Sequence, residues 1–187
     1  MDKVFLADDY AEEQRQISID DLGNNHVFFL PYLMGERSPI NDIKARGTFT
    51  GITLKTERKN LTQAVLEGVA FAIRDNIEVA KRLGIRVRES KVSGGGSKSR
   101  IWLDILANVL DAKLLVPKTE QGPGVGAAVL AMVACGIYAD PAEASRRMEK
   151  STAVVEPNPM LVERYEKQYN KFRQIYPAMK SIFQAIA

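Results

Sequence analysis

The chain is poor in the residues that most readily mark a chemistry. Its 187 residues include a single cysteine, Cys135, a single histidine, His26, and a single tryptophan, Trp102. One cysteine excludes an internal disulfide framework, and its place in the apolar run from Val125 to Gly136 predicts a buried, inert thiol in a reducing compartment. One histidine excludes a His-rich metal site, so His26 is expected to be structural or exposed. No apolar run is long enough to span a bilayer, and the acidic start lacks the basic-then-apolar profile of a secretion signal. The expected location is the cytoplasm.

Charge of one sign is also scarce. Lys plus Arg number 26 against 23 Asp plus Glu, a net charge of +3 spread along the chain, so composition asks for neither nucleic acid nor a membrane surface. With 45% hydrophobic residues against 26% charged, the chain sits in the range of folded domains that bury a core. There are no repeats or low-complexity tracts.

What is present centres on Lys91 to Pro117. A short strand, the turn Ser93-Gly94-Gly95-Gly96-Ser97, a helix from about Lys98 to Leu110 and a strand to Val116 follow one another. Three consecutive glycines permit positive φ and let a ligand approach without a Cβ in the way. The helix that follows presents unpaired N–H groups, capped by Ser97 or Ser99, which suits a nucleotide. Two standard phosphate motifs do not fit. Lys98-Ser99 lacks the glycine a Walker A loop requires before its lysine, and Ser99 stands where the dinucleotide fingerprint needs its third glycine. A turn that only lets helix and strand pack is the competing reading. Lys98 and Arg100, on the helix's first turn, are either phosphate or ribose contacts or solvated surface. Trp102 either covers the turn or packs in the core.

The rest of the chain reads in order. A polar helical stretch around Tyr10 to Ile19 is expected at the surface and ends in the turn Gly23-Asn24-Asn25. Val27 to Leu33 reads as a buried strand ended at Pro31. The loop Met34 to Asp42 is either a rigid ligand-facing loop or plain surface. Gly47 to Ile52 predicts a short strand, and a helix follows with Asn60 as N-cap, Gln63 as its capping-box partner and Gly84 as its stop. Its apolar stripe is Leu61, Ala64, Val65, Gly68, Ala72, Ile73, Ile77, Ala80 and Leu83. The loop Gln121 to Gly126 feeds a small-residue helix over 127–135, whose alanines and glycines serve either close packing on a sheet or close approach to a ligand. Pro141 starts a polar helix, Val154 to Pro157 is an extended connector, and a charged helix runs from Pro159 to Ile175, with Pro177 breaking or restarting it. This βαβα order predicts an α/β mixed sheet with flanking helices, its two glycine turns on one edge.

Three motifs resemble one family. Gly47-Thr48-Phe49-Thr50-Gly51-Ile52, seven further residues, and Asn60 to Glu67 are similar to the C-terminal signature of the FGGY carbohydrate kinases. Val92 to Ser97 resembles that family's adenosine motif, and Gly124-Val125-Gly126-Ala127-Ala128 its later glycine-alanine turn. The run Phe29 to Pro39 is most similar to the family's xylulose-phosphorylating branch. The resemblance implies an actin-like, ribonuclease-H-like ATPase lobe, incomplete here, with ATP and Mg2+ as cofactors and a sugar bound between two lobes. By that resemblance Gly94, Gly95 and Gly96 line the adenosine pocket, Ser97 and Arg100 stand at its rim, and Gly51 and Thr53 face the phosphates. It further implies an N-terminal segment 1–26, a nucleotide-binding lobe 27–150 and a helical extension 151–187. The family's N-terminal lobe, with its aspartate general base, has no counterpart in the sequence. The chain is therefore expected to be a C-terminal fragment, inactive alone, whose partner is that missing lobe. A homodimer stays open, and Asp42, Asp75 and Asp104 are not assigned as the base. The competing class is a non-catalytic nucleotide-binding interaction module.

Overall fold

The computed structural model describes residues 10–117, 122–148 and 151–187. A short helix, α1 (Tyr10–Arg15), and a 3-10 turn at Ile19–Asp21 lead into β1 (Phe28–Leu30). β2 (Thr48–Thr50) pairs antiparallel with β1, Phe29 opposite Phe49, and those rings stand 4.5 Å apart between centroids. β1 stops where Pro31 has no N–H to donate. The opening segment is not confined to the surface as expected: Ile17 and Leu22 are buried in the main core.

α2 (Arg58–Arg82) starts three residues earlier than Asn60 as N-cap predicted. Glu57 is its N-cap, and Asn60, the third helical residue, accepts the Glu57 N–H on Oδ1 at 2.9 Å. Gln63 is no capping partner but a buried donor, its Nε2 reaching the Asp21 carbonyl at 2.9 Å and Glu67 Oε1 at 2.8 Å. A Cβ on Gly68 would stand 2.1 Å from the Phe29 carbonyl oxygen, so α2 rests directly on the β1 backbone. That close seating turns Thr62, Gln63, Ala64, Glu67, Ala70 and Phe71 inward. Ile73 and Leu83, expected in the buried stripe, are exposed on the half of α2 beyond this contact.

The second sheet has the order β3-β4-β5. β3 (Glu89–Lys91) and β4 (Lys113–Pro117) are parallel, joined by α3 (Arg100–Leu110). β5 (Ser151–Val155) runs antiparallel to β4, Leu114 opposite Val155, so the sheet is mixed with flanking helices, as predicted. The expected connector at Val154 is thus partly a strand: its β-branched residues find a partner only once β4 is in place.

α6 (Pro159–Ile186) passes through Pro177 without ending, contrary to the predicted break. Pro177 is exposed, where water can serve the carbonyl that loses its helical donor, and Phe183 beyond it is buried in the core. Leu161, Tyr165, Tyr169 and Phe172 form the buried stripe the spacing predicted. Phe71 of α2 meets the rings of Tyr165, Tyr169 and Phe172 at 6.2, 6.0 and 5.1 Å.

α4 (Gly122–Ala134) includes Gly124 and Gly126 inside the helix rather than in a feeding loop, and Gln121 lies outside the described residues. It packs on α5 (Pro141–Met148). Val129 is buried, whereas Leu130 and Ile137 are each 63% exposed. Cys135 is exposed as well, against the expectation of a buried thiol, because this helix shows most of its apolar surface to solvent.

Candidate nucleotide site

The glycine turn begins where β3 lets go of its neighbour. Val92 donates to the Leu115 carbonyl at 2.9 Å, and at Gly94 the backbone turns to φ +90° and ψ −178°, a conformation open essentially to glycine alone. A single 3-10 turn, Gly95–Lys98, follows. Ser97 closes it, with both its N–H (3.0 Å) and its hydroxyl (2.7 Å) donating to the Gly94 carbonyl. Of the two cap candidates Ser99 is the one that caps α3, accepting the Trp102 N–H at 3.2 Å.

The two sides of this turn differ. A Cβ on Gly96 would come within 3.0 Å of Trp102 Nε1, so the indole covers the turn from one side. A Cβ on Gly94 or Gly95 would meet nothing within 4 Å. Beside Gly95 opens a cavity of about 620 Å³, walled by Lys98, Ser99, Arg100, Ile101 and Asp104 on one side and by α1 through Ala11, Gln14, Arg15 and Ile17 on the other. Space of this size with Gly95 in its wall fits a nucleoside, while Gly94, Gly96 and Ser97 are outside its lining.

Arg100 stands at the cavity, its Nε donating to both oxygens of Asp104 at 3.1 and 3.0 Å. The hydrogen bond and the charge of Asp104 hold the guanidinium above its ordinary pKa. Gly51 and Thr53 lie apart from the cavity lining, at the approach to α2. Gly51 has φ +86°, and a Cβ there would stand 2.2 Å from the His26 carbonyl, so this glycine is required by packing. Thr53 is exposed and bonded within its own loop: its N–H donates to Thr56 Oγ1 at 2.9 Å, and its hydroxyl accepts from Lys55 at 3.2 Å. His26 is exposed, with Nε2 3.0 Å from Thr56 Oγ1.

The remaining carboxylates are engaged structurally. Asp42 accepts from Tyr176 at 2.7 Å and from the Lys44 N–H at 2.8 Å, and the Tyr176 bond is the first cause that holds its pKa down. Asp75 accepts from Tyr169 at 2.6 Å, while burial pushes its pKa up. Glu67 is buried, accepting from Gln63, Tyr165 at 3.0 Å and Gly23 at 3.4 Å, and desolvation raises its pKa to about 7. Among the described residues no group of three or more His, Cys, Asp or Glu could hold a metal ion, and no helix is long and apolar enough to cross a membrane.

The α1 wall was not legible in the sequence as part of the site. Its residues carry no recognisable motif, and only folding sets Gln14 against Ser99, whose hydroxyl donates to Gln14 Oε1.

An α/β lobe with a mixed sheet and a glycine turn opening on a nucleoside-sized cavity defines a nucleotide-binding class, and comparison with known proteins narrows it. Residues 6–135 match the C-terminal domain of the FGGY family of carbohydrate kinases. The xylulose kinase of Staphylococcus epidermidis is 32% identical over 181 residues, covering 96% of this chain and 36% of the relative. The crystal structure of a xyloylose kinase from Brucella ovis superposes with a TM-score of 0.83 at 36% identity, over 91% of this chain and 35% of that one. A gluconate kinase from Lactobacillus acidophilus gives 0.84 at 27% identity, over 96% and 36%. The chain belongs to the FGGY family of carbohydrate kinases, as its motifs implied, and spans about a third of the length of these relatives.

Proposed function

We propose that this chain is the C-terminal, ATP-binding lobe of a xylulose kinase, the parent enzyme transferring the γ-phosphoryl group of ATP to a terminal hydroxyl of D-xylulose. The observation that carries the reading is the bare Gly95 in the wall of the 620 Å³ cavity, next to an equally unobstructed Gly94. In this reading Gly94, Gly95 and Gly96 seat the adenosine, with Ser97 and Arg100 at the rim. Gly51 and Thr53 serve the phosphate side, off the cavity at the start of α2. Mg2+, when bound with the nucleotide, neutralises phosphate charge, and its ligands come from the phosphates and the N-terminal lobe. Phosphoryl transfer of this kind rests on positioning, charge stabilisation and exclusion of water, and the proton on the sugar hydroxyl goes to a carboxylate of the N-terminal lobe. In this reading residues 27–150 form the nucleotide-binding part, α1 from the N-terminal segment adds a wall to its cavity, and 151–187 is an extension packed on it. The setting is cytoplasmic, and the whole enzyme is compatible with a homodimer.

Similarity to a xylulose kinase at 32% identity over 96% of the chain favours xylulose as acceptor. Gluconate and other pentose or polyol acceptors are the nearest alternatives, since a gluconate kinase superposes as closely. Mixing the chain with a separately produced N-terminal lobe of a xylulose kinase and following ADP release tests both points. Turnover with D-xylulose in the mixture, and none from the chain alone, is expected. Turnover with gluconate instead would move the substrate, and failure of the chain to bind ATP would sink the reading. A second reading, a non-catalytic nucleotide-binding interaction module, is favoured by the exposed apolar side of α4. It predicts ATP binding with no turnover in any mixture.

A further inference from the structure

The α1 wall has a construction that a passive surface helix does not need. Glu13 is fastened to α2, accepting from Arg58 Nε at 2.5 Å and from Thr62 Oγ1 at 3.1 Å. Two residues after α1 ends, Ile17 is buried in the main core. Between these anchors sits Gln14, half-buried, lining the cavity that the glycine turn opens. Its carbonyl oxygen accepts the Ser99 hydroxyl proton, and the Ser99 oxygen in turn accepts the Trp102 N–H at 3.2 Å. The hydroxyl of the α3 cap is therefore engaged in both directions, and Gln14 fixes which way its proton points. The Gln14 amide N–H2 has no partner among the described residues, which leaves two donors at the cavity wall.

We infer that Gln14 is a positioning residue of the nucleotide cavity: its carbonyl holds Ser99, and its amide N–H2 donates to an acceptor on the nucleoside, a purine ring nitrogen or a ribose oxygen. This rests on the reading of the cavity as the nucleotide site. It makes α1 the second wall of that site, pinned by Glu13 and Ile17 and facing the glycine turn.

Trp102, the only tryptophan, lies against Gly96 and serves as the reporter. ATP is titrated into the 187-residue chain while Trp102 fluorescence is followed, for wild type, Gln14→Met, Gln14→Glu and Ser99→Ala, with the Tm of each measured alongside. Gln14→Met keeps the size of the side chain but removes both hydrogen bonds, and a net hydrogen-bond worth corresponds to about two- to tenfold weaker ATP binding. Gln14→Glu restores the acceptor for Ser99 and lies between Met and wild type. Combining Gln14→Met with Ser99→Ala adds less than the sum of the two single losses, because both break one relay. Equal affinity in all four proteins overturns the inference and leaves the nucleotide site standing. A loss that follows a fall in Tm and is not recovered by Glu also overturns it, as a purely structural role. No ATP response in wild type, by fluorescence or by calorimetry, overturns the nucleotide reading and this inference together.

Discussion

The junction of α2 with α6 and the helix α4 are both apolar, yet only one of them is finished. At the junction Phe71, Tyr165, Tyr169 and Phe172 interlock, and two carboxyls beside them have named partners, Glu67 held by Gln63 and Tyr165 and Asp75 by Tyr169. On α4, a helix whose residues 122–134 include no charge, Leu130 and several alanines face water. A helix apolar all round is ordinarily an interior one, so the difference tells which surface this polypeptide completes by itself and which it leaves open.

The contrast is most sharply broken by truncation on each side. Phe71→Ala is expected to cost about 3–5 kcal/mol in urea unfolding, through lost burial and the cavity left among three rings. Leu130→Ala should stay within about 0.5 kcal/mol of wild type. If the two cost the same, the junction is not the stabilising centre of the lobe.

Next in size is the pH dependence of Glu67. Its folded pKa is raised to about 7 from 4.5, so the carboxyl favours folding when protonated. The stability tied to its neutral form is complete below the unfolded value and is lost as pH rises through about 7. The full swing is on the order of 3 kcal/mol. Denaturation of wild type and Glu67→Gln at pH 5 and pH 8 should show the gap in stability between them shift in favour of Gln at the higher pH. A constant gap would mean the carboxylate is better solvated than its surroundings indicate.

Smaller and local is the effect of Gly94→Ala, which forces a Cβ into a backbone region L residues avoid and should cost about 1–3 kcal/mol. Gly95→Ala meets open space and should leave the Tm unchanged, while ATP binding falls by about tenfold, the ~1.4 kcal/mol of one obstructed close approach. Unchanged binding in Gly95→Ala would remove the glycine turn from the site.

Much of this was legible before folding. The glycine turn, α3 and the stripe of α6 follow from local spacing, because each is decided within its own segment. Most of the misreadings share a cause in long-range contact. Asn60 fails as N-cap because Glu57 begins the helix, and Gln63 is drawn inward by the Asp21 carbonyl and Glu67. Pro177 stays within a helix because Phe183 anchors the far end. β5 exists because β4 offers an edge. At the site, Gly95 and Arg100 share a cavity as neighbours in sequence. Gln14 reaches it from 85 residues before Ser99, a distance no motif spans.

The exposed thiol at the end of α4 supplies a practical handle. As the sole cysteine of the chain, Cys135 accepts one maleimide dye without any engineering, on the side of the molecule that lacks a cover. Whatever seats itself over that helix should slow the labelling and shift the dye's emission, which gives a spectroscopic clock for its arrival.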